Sequence, residues 1–410
     1  MCQTPASRTR TAASTPCFSS SVTLTGSEMK LALCAGEVSG DIYGGLLARK
    51  LRELAPDIDL IGVGGQRMAA AGVRPVARLP LGAMGITGVV RRLPAYAAAL
   101  RHTASALLTE RPDSVVLIDN PGFNLRLARI VGTRLPCVYY IPPKVWAHGY
   151  ARIRMLRRYV QEVIAIFPFE TALYQEAAVP CRWFGHPIVD LVDRSADTSA
   201  FLRSCHLRND APLIGLLPGS RAEEVDALMP SFIAVLREVR KAFPAVQAVV
   251  SSAGGNLGRI ASRHLRRAGE HLPVWEGSVH TLVRASSLAL AASGTVNLEV
   301  ALLRTPLIVF YRTSSLNYLA ARLVVKSRWI SPVNILLGEE VVPEHIQRIP
   351  AARAAEQAVE LLRGGPAAQR QSDAAERLAC LLGEANVTDR IAGWIFRQTA
   401  ARAHARGARC

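Results

Sequence analysis

The chain has 410 residues, half of them hydrophobic, and its 49 Lys and Arg against 32 Asp and Glu give a formal net charge of +17. This length allows two domains with substantial cores, and no uncharged apolar run of about 18 residues predicts a membrane-spanning helix. The basic excess indicates an anionic partner, but the sequence contains no zinc finger, aromatic RNA-binding signature or compact basic helix, which argues against nucleic acid.

The cysteines and the N-terminal segment bear on the cellular compartment. Eight Cys are scattered along the chain with no pair at metal-ligand or redox spacing, which predicts a reduced, cytoplasmic setting. Residues 1–27 are rich in Ser, Thr, Ala and Arg and lack the apolar core of a secretory signal. We interpret them as a disordered extension or the product of an upstream start codon, while their basic, acid-poor composition leaves a transit peptide open.

The first predicted strand, residues 30–35, runs into a glycine-flanked polar turn and then a helix over residues 42–54. The turn contains Glu37, Ser39, Gly40 and Asp41. Backbone donors at such a strand-to-helix turn face a ligand. Because the two acids would repel phosphate, we expect the turn either to hold sugar hydroxyls or to order the neighbouring loop.

Residues 79–108 combine small and apolar residues with interleaved basic ones, among them Arg91 and Arg92. Such a segment can lie in a membrane interface, with the Arg stems buried and the guanidinium groups meeting lipid phosphates. The alternative is a pair of helices packed on the core with one solvated edge.

An apolar, β-branched strand at residues 114–118 ends in Asp119. Strands that are apolar on both faces are typical of parallel sheets, whose ligands bind at the carboxyl ends of the strands. Asp119 is therefore a candidate general base, and the alternative is that it caps the helix that begins near Asn124.

Two more strands are predicted in this half, at residues 137–141 and 163–167. His148, in the loop after the first of them, is more typical of a surface or packed histidine than of a catalytic one. The polar interval 191–210 then indicates an interdomain linker. We therefore divide the chain into the extension 1–27, a first domain at 28–190, the linker, a second domain at 211–350 and C-terminal helices at 351–410.

The second domain begins with a strand at residues 213–217 and a turn that carries Arg221. A guanidinium offers several planar donors to phosphate, so Arg221 is a candidate for neutralising a diphosphate. The stretch 287–311 then gives a strand, the turn Ser293-Gly294-Thr295, a helix and another strand.

The start of that helix has unpaired N–H groups and a partial positive charge, so the small residues Ser293, Gly294 and Thr295 suit a phosphate. Glu299 lies about one helical turn further on the same face and can accept hydrogen bonds from ribose hydroxyls. The alternative is a connection in which Ser293 and Thr295 merely cap and Glu299 is an ordinary first-turn acid. Two such α/β halves predict two Rossmann-like domains facing a cleft, with one substrate in each and helices at the C-terminus, as in the two-domain nucleotide-sugar (GT-B type) glycosyltransferases.

Ten short motifs in register resemble the lipid-A-disaccharide synthase family from about Lys30 to the C-terminal helices. They are AGEVSGD at 35–41, GVGGQRM at 62–68, MGITGVV at 84–90, LIDNPGFN at 117–124, PPKVWA at 142–147, FPFE at 167–170, FGHP at 184–187, LLPGSRAEEV at 216–225, ASGTVNLEVAL at 292–302 and PVNILLGEEVVPEHIQ at 332–347.

The resemblance implies an inverting glycosyltransferase that joins UDP-2,3-diacylglucosamine to 2,3-diacylglucosamine 1-phosphate, giving the β-1,6-linked lipid A disaccharide and UDP. It makes Asp119 the presumed base, and it implies neither a metal ion nor a cofactor. It places the nucleotide contacts on Arg221, Ser293 to Thr295, Glu299, Asn334 and Gln347.

The resemblance also implies a cytoplasmic protein attached peripherally to the inner face of the inner membrane, and it suggests a homodimer. Since the acylated substrates lie in the membrane, we predict that residues 79–108, with Arg91 and Arg92, contact an anionic membrane surface. Four positions depart from the family pattern: Gly122, where some members carry a second acid, Lys144, His148, and Pro332, which lies two residues before Asn334 where many members have Pro directly before it. A paired-carboxylate mechanism therefore does not follow from the resemblance.

Two other functions are compatible with the same fold. A UDP-sugar 2-epimerase would need neither a lipid surface nor a second sugar. A nucleotide- or lipid-binding relative that has lost catalysis is the non-enzymatic alternative, against which the retention of Asp119 beside an intact donor-site stretch argues.

Overall fold

The computed structural model describes residues 29–77, 86–146, 149–314, 318 and 327–407, and of residues 86–93 and 407 the backbone alone. The expected N-terminal extension, the side chains of Arg91 and Arg92, and His148 lie outside the described residues.

The first domain is an α/β layer structure around one parallel sheet. Its strands are β1 (Lys30–Ala35), β2 (Asp59–Val63), β3 (Arg74–Pro75), β4 (Ser114–Ile118), β5 (Cys137–Tyr140), β6 (Glu162–Ala165) and β7 (Cys181–Trp183). Its helices are α1 (Val38–Leu54), α2 (Gln66–Ala70), α3 (Ile86–Glu110), α4 (Pro121–Val131), α5 (Arg152–Tyr159), α6 (Pro168–Glu176) and α7 (Ile188–Leu191).

The second domain repeats this architecture around a second parallel sheet. Its strands are β8 (Leu213–Leu217), β9 (Gln247–Ser251), β10 (Val274–Trp275), β11 (Leu288–Ala292), β12 (Leu307–Tyr311) and β13 (Glu344–Ile346). The helices from the linker onward are α8 (Thr198–Ser204), α9 (Ala222–Ala242), α10 (Leu257–Arg267), α11 (Val279–Ala285), α12 (Val296–Leu302), α13 (Pro332–Leu337), α14 (Ala351–Leu362), α15 (Pro366–Leu382) and α16 (Val387–Gly407).

The strand orders are those of doubly wound sheets. Among the described residues the first sheet runs β3-β2-β1-β4-β5-β6-β7 and the second β10-β9-β8-β11-β12-β13. The order reverses between β1 and β4 in one sheet and between β8 and β11 in the other. Ligands of such sheets bind at these switch points, outside the carboxyl ends of the strands. The prediction of two Rossmann-like domains with C-terminal helices is confirmed.

The four strands at the switch points are fully buried or nearly so, which fixes the turns that follow them. β4 and β11 are buried at every position, and β1 at every position but its first. Ala35 of β1 lies beside Ile118 of β4, and Leu217 of β8 lies beside Ala291 of β11. The two functional turns of each domain therefore emerge side by side.

Among the element boundaries that differ from the sequence prediction, two differ for clear local reasons. Helix α1 begins at Val38 rather than at residue 42, because the Asp41 N–H already bonds to the Glu37 carbonyl at 2.9 Å. Strand β6 ends at Ala165, since the Glu170 carboxylate accepts the N–H groups of Ile166 and Phe167.

The last helix returns to the first domain. α16 packs against α1, and Lys50 of α1 forms an ion pair with Asp389 at 3.1 Å. α14 and α15 instead pack on α9 and α12 of the second domain. One hydrophobic cluster includes Tyr43 of the first domain and Leu298 of the second, so the domains share apolar packing. No helix among the described residues has both the length and the apolar character needed to cross a bilayer.

Candidate active site

Asp119 directly follows β4 in a strained backbone conformation. Asp119 and Asn120 have φ values of 52° and 41°, in the left-handed region that non-glycine residues seldom adopt. The conformation is held from below: the Asp119 carbonyl accepts hydrogen bonds from Asn124 Nδ2 and the Tyr139 hydroxyl, both at 2.8 Å. The half-buried carboxylate accepts a bond from Ser39 Oγ at 3.0 Å. A fixed backbone thus presents this carboxylate at the switch point.

Asn120, not Asp119, caps helix α4. Its Oδ1 accepts the N–H of Phe123 at 3.3 Å. Its amide fills the space next to Gly36, where any added Cβ would come within 2.0 Å of Asn120 Nδ2. The capping function that competed for Asp119 is therefore carried by its neighbour.

Glu37 precedes α1 and lies near Asp119 and Arg221. Burial raises the pKa of Glu37, the negative charge of Asp119 raises it further, and the positive charge of Arg221 opposes both. Gly40 of the same turn packs close to β4, since an added Cβ would lie 3.3 Å from the Ile118 carbonyl oxygen. Glu37, Ser39 and Gly40 are thus grouped around the end of β4.

Asp41 has a different task from its neighbours in the turn. Its carboxylate accepts three backbone N–H groups at the start of α2, those of Gly65, Arg67 and Met68, at 2.7 to 3.0 Å. These are donors that a helix start leaves without intrahelical partners. Asp41 is buried, so it orders the neighbouring loop, which is the second of the two roles expected for this turn.

In the second domain, Arg221 follows β8 and precedes α9. Its Nη1 donates to Glu224 Oε1 at 2.8 Å, while the other oxygen of Glu224 accepts the Ser220 N–H at 3.1 Å. The Arg221 side chain remains 39% exposed. A guanidinium has five N–H donors, so this pairing orients the group and leaves donors for an anion.

The turn after β11 is tied down on one side and open on the other. Ser293 Oγ donates to the Ile330 carbonyl at 2.8 Å, and Asn297 Oδ1 accepts the Gly294 N–H at 3.1 Å. Thr295 is exposed and makes no side-chain cap, and a Cβ added at Gly294 would meet no atom within 4 Å. The turn is thus ordered by the buried Asn297, and it leaves Gly294 and Thr295 accessible at the end of β11.

Glu299 lies on α12 and is hydrogen-bonded to a histidine. Glu299 Oε2 is 2.8 Å from Nε2 of His280, and the two side chains are 18% and 14% exposed. His280 belongs to α11, which packs against α12. The carboxylate of Glu299 is therefore held in one direction at the edge of the second switch point.

Asn334 and Gln347 are hydrogen-bonded within the loops next to β12 and β13. The fully buried Asn334 uses its amide on Val341, Val342 and Glu344, and Glu344 also accepts the N–H of Ile330, whose carbonyl binds Ser293. Gln347 pairs both amide groups with the backbone of Thr313, at 2.7 and 3.0 Å. The side-chain hydrogen bonds of both amides are thus made to their own loops, and none is made to Arg221 or Glu299 among the described residues.

The two switch points lie close enough that charges from both act on the same side chains. The buried hydroxyl of Tyr43 has a raised pKa because it is desolvated and because the negative charges of Glu299 and Asp119 both act on it. Glu37 is influenced by Asp119 on one side and Arg221 on the other. The charged groups Asp119, Glu37, Arg221 and Glu299 therefore lie in one region at the boundary between the domains.

The sequence did not identify several residues that hold the turns at the switch points. Asn124, Asn297 and Glu224 hold the three turns, yet each lies inside a motif that was already noted. Tyr43 has the signal of a core residue on the apolar face of α1. His280 lies in a short helix without any motif, so no sequence signal pointed to it.

The sequence is similar to those of one enzyme family. The family model for lipid-A-disaccharide synthetase matches residues 31–390. The lipid-A-disaccharide synthase of Myxococcus xanthus is 37% identical over 321 residues, covering 78% of this chain and 84% of its own. That of Solibacter usitatus is 35% identical over 367 residues, covering 89% of this chain and 93% of its own. The chain belongs to the lipid-A-disaccharide synthase family.

Solved structures similar to this family member share its fold. The UDP-N-acetylglucosamine 2-epimerase of Neisseria meningitidis, bound to UDP-N-acetylglucosamine, aligns with a TM-score of 0.60 and 11% identity, covering 90% of this chain and all of that one. A putative 2-epimerase of Listeria monocytogenes gives 0.58 and 13%, covering 88% and 94%. At this identity the likeness shows the fold alone. The activity class is set by the sequence relatives, so this lipid-A-disaccharide synthase family member is a glycosyltransferase.

Proposed function

We propose that the chain transfers 2,3-diacylglucosamine from UDP to the 6-hydroxyl of 2,3-diacylglucosamine 1-phosphate in a single inverting displacement. The acceptor oxygen bonds to the donor anomeric carbon as the bond from that carbon to the β-phosphate oxygen breaks. The hydroxyl proton passes to Asp119, and UDP leaves with the bonding electrons. The observation that carries this proposal is that Asp119 and Arg221 both influence the pKa of Glu37, while Asp119 and Glu299 both influence that of Tyr43, which supports one site shared by the two domains.

The acceptor side provides a base in a fixed position. Ser39 donates to Oδ2 of Asp119, which leaves Oδ1 for the incoming hydroxyl. Glu37 and Gly40 complete the wall of this site, with Glu37 available to a sugar hydroxyl. General-base assistance of this kind contributes about 100- to 10,000-fold in rate.

The donor side provides positive charge where negative charge develops. As UDP leaves, its diphosphate gains charge, and preorganised donors stabilise this state more than the ground state. We assign this role to the guanidinium of Arg221 and to the turn Ser293 to Thr295. Glu299 would accept hydrogen bonds from the ribose, with Asn334 and Gln347 holding the loop beneath the nucleotide.

Acylated substrates require contact with a membrane surface. We propose that residues 79–108, including Arg91 and Arg92, supply it on the cytoplasmic side, since apolar insertion and attraction to anionic lipid add. Most of this segment belongs to α3, which packs on α4, the helix that follows Asp119. Assembly as a homodimer is part of the same proposal.

The experiment that tests the function is the incubation of the purified protein with both acylated glucosamines, with the product read by mass. Disaccharide 1-phosphate and UDP in equal amounts are the expected products, and their absence would refute the proposal. A parallel incubation with UDP-N-acetylglucosamine alone should give no epimer.

The base assignment has its own test in Asp119→Asn. This variant should lower kcat by about 100- to 10,000-fold while the affinity for UDP, measured by calorimetry, stays near that of the wild type. Asp57→Asn, at an exposed position, is the matched control. Normal turnover by Asp119→Asn would exclude the carboxylate as base.

A further inference from the structure

His280 is hydrogen-bonded on both sides of its ring. Nδ1 accepts the backbone N–H of Asp193 at 3.3 Å, and Nε2 lies 2.8 Å from Glu299 Oε2. Asp193 belongs to the segment between α7 and α8, where the chain passes from the first domain to the second. The ring therefore bridges the interdomain linker and the carboxylate of the donor site.

These two contacts determine the protonation of the ring. A backbone N–H can only donate, so Nδ1 must be the unprotonated nitrogen. The proton of the neutral imidazole then lies on Nε2, where it is donated to Glu299. The linker thus selects the tautomer that points a donor at the carboxylate.

The linker is held on α11 at more than this one point. Arg284, one helical turn after His280, donates to the carbonyl of Ala196, and α8 packs against α11. Both His280 and Glu299 are largely shielded from solvent, so the bond between them competes little with water. Among the described residues no other side chain bonds to Glu299, so His280 alone defines the direction of its carboxylate.

We propose that His280 is a positioning residue of the donor site, whose Nε2–H holds Glu299 in the orientation that accepts the ribose hydroxyls. The bond from the linker to Nδ1 keeps the ring in the required tautomer. This inference rests on the proposed function, in which Glu299 contacts the ribose of UDP. It adds a residue that makes no contact with the substrate itself.

Two substitutions separate the two sides of the ring. In His280→Gln the amide nitrogen is as many bonds from Cβ as Nε2, so the donor to Glu299 is kept and the linker contact is lost. In His280→Asn the amide oxygen is as many bonds from Cβ as Nδ1, so the linker contact is kept and the donor to Glu299 is lost. His271→Asn, at an exposed position, is the control.

The readouts are UDP affinity by calorimetry and the kinetic constants for both substrates. His280→Asn should weaken UDP binding about 10-fold and raise KM for the donor by a similar factor, with KM for the acceptor unchanged. His280→Gln should stay within about 3-fold of the wild type. In a Glu299→Ala background, His280→Asn should cause no further loss, because the group that it orients is gone.

The ranking of the variants decides the inference. A role limited to packing or to holding the linker would make His280→Gln as harmful as His280→Asn, or more so, and that result would overturn the proposal, as would additive losses with Glu299→Ala. If His280→Asn does not fold, a loss in His280→Gln as large as that in Glu299→Ala overturns it equally. If the wild type binds UDP and forms disaccharide but the variants rank in another order, only the role of His280 is refuted. If the wild type neither binds UDP nor forms disaccharide, the proposed function is refuted as well.

Discussion

Asn124 offers a direct test of how the fold fixes the backbone of Asp119, the proposed base. Its side chain is fully buried, and Nδ2 lies 3.1, 3.0 and 2.8 Å from the carbonyl oxygens of Cys34, Ile118 and Asp119. One amide thus joins the ends of β1 and β4 and supports the strained peptide of Asp119. We expect Asn124→Ala to reduce both stability and catalysis.

The magnitude follows from the contacts. Nδ2 has two hydrogens for three carbonyls, so about two net hydrogen bonds are lost, at about 1 kcal/mol each. The abandoned carbonyls and the small cavity add to this cost, while removal of Asn124 Oδ1, which is buried without a partner, offsets part of it. We estimate that the free energy of unfolding falls by about 2–3 kcal/mol.

The assay combines urea unfolding with steady-state kinetics. Release of the Asp119 peptide from φ 52° should displace the carboxylate and lower kcat by about 10- to 100-fold. Asn256→Ala, at an exposed position whose side chain makes no cap, should change stability by less than about 0.5 kcal/mol. If Asn124→Ala unfolds with wild-type stability, or retains wild-type kcat, the reasoning about this support is wrong.

Two further predictions concern the boundary between the domains. Burial lowers the pKa of His186 to about 3, so this ring is neutral when folded, and because the folded value lies below the ordinary one, its contribution is present above about pH 6.5 and lost as the pH falls. Between pH 7 and pH 5 the free energy of unfolding of the wild type, measured in urea, should therefore fall by about 2 kcal/mol. The variant His186→Asn keeps an acceptor for the Ile188 N–H and should not show this fall. Asp190 accepts the backbone N–H groups of Asn386 to Thr388 at the start of α16, at 2.6 to 3.2 Å. Asp190→Ala should therefore destabilise that helix by about 2 kcal/mol. Hydrogen exchange should become faster in α16, while α9 exchanges as in the wild type.

The strands and turns at the two switch points could be predicted from the sequence, because they depend on local residue patterns. Strands at residues 30–35, 114–118, 213–217 and 288–292 are short apolar runs that end in polar, glycine-containing turns, and each lies where it was predicted. Short edge strands carry no such signal, since β3 is exposed, β7 is only partly buried and each pairs on one side. Their existence depends on the sheet that they extend.

The roles of individual polar residues were harder to predict from the sequence. Asp41 and Asn334 have the same residue types as ligand-binding groups, but the structure uses them to satisfy backbone donors and acceptors of neighbouring loops. Sequence does not show whether a polar side chain faces a cleft or a buried backbone group, because that depends on which loop is packed beside it. His280 illustrates the converse, since only packing of α11 against the linker and α12 gives it a function.

By itself the sequence determined the alternation of strands and helices, the two-domain α/β class and the family, because apolar runs, turn residues and motif order are properties of the chain read in one dimension. The tertiary structure decided that β1 lies beside β4 and β8 beside β11, that α16 returns to the first domain, and that Asp119, Arg221 and Glu299 lie in one region at the domain boundary. These relations join residues from 74 positions apart, as for Leu217 and Ala291, to 339 apart, as for Lys50 and Asp389, and they arise from sheet pairing and burial. No local pattern encodes them, because the free energy that selects them comes from contacts formed only when the whole chain has folded.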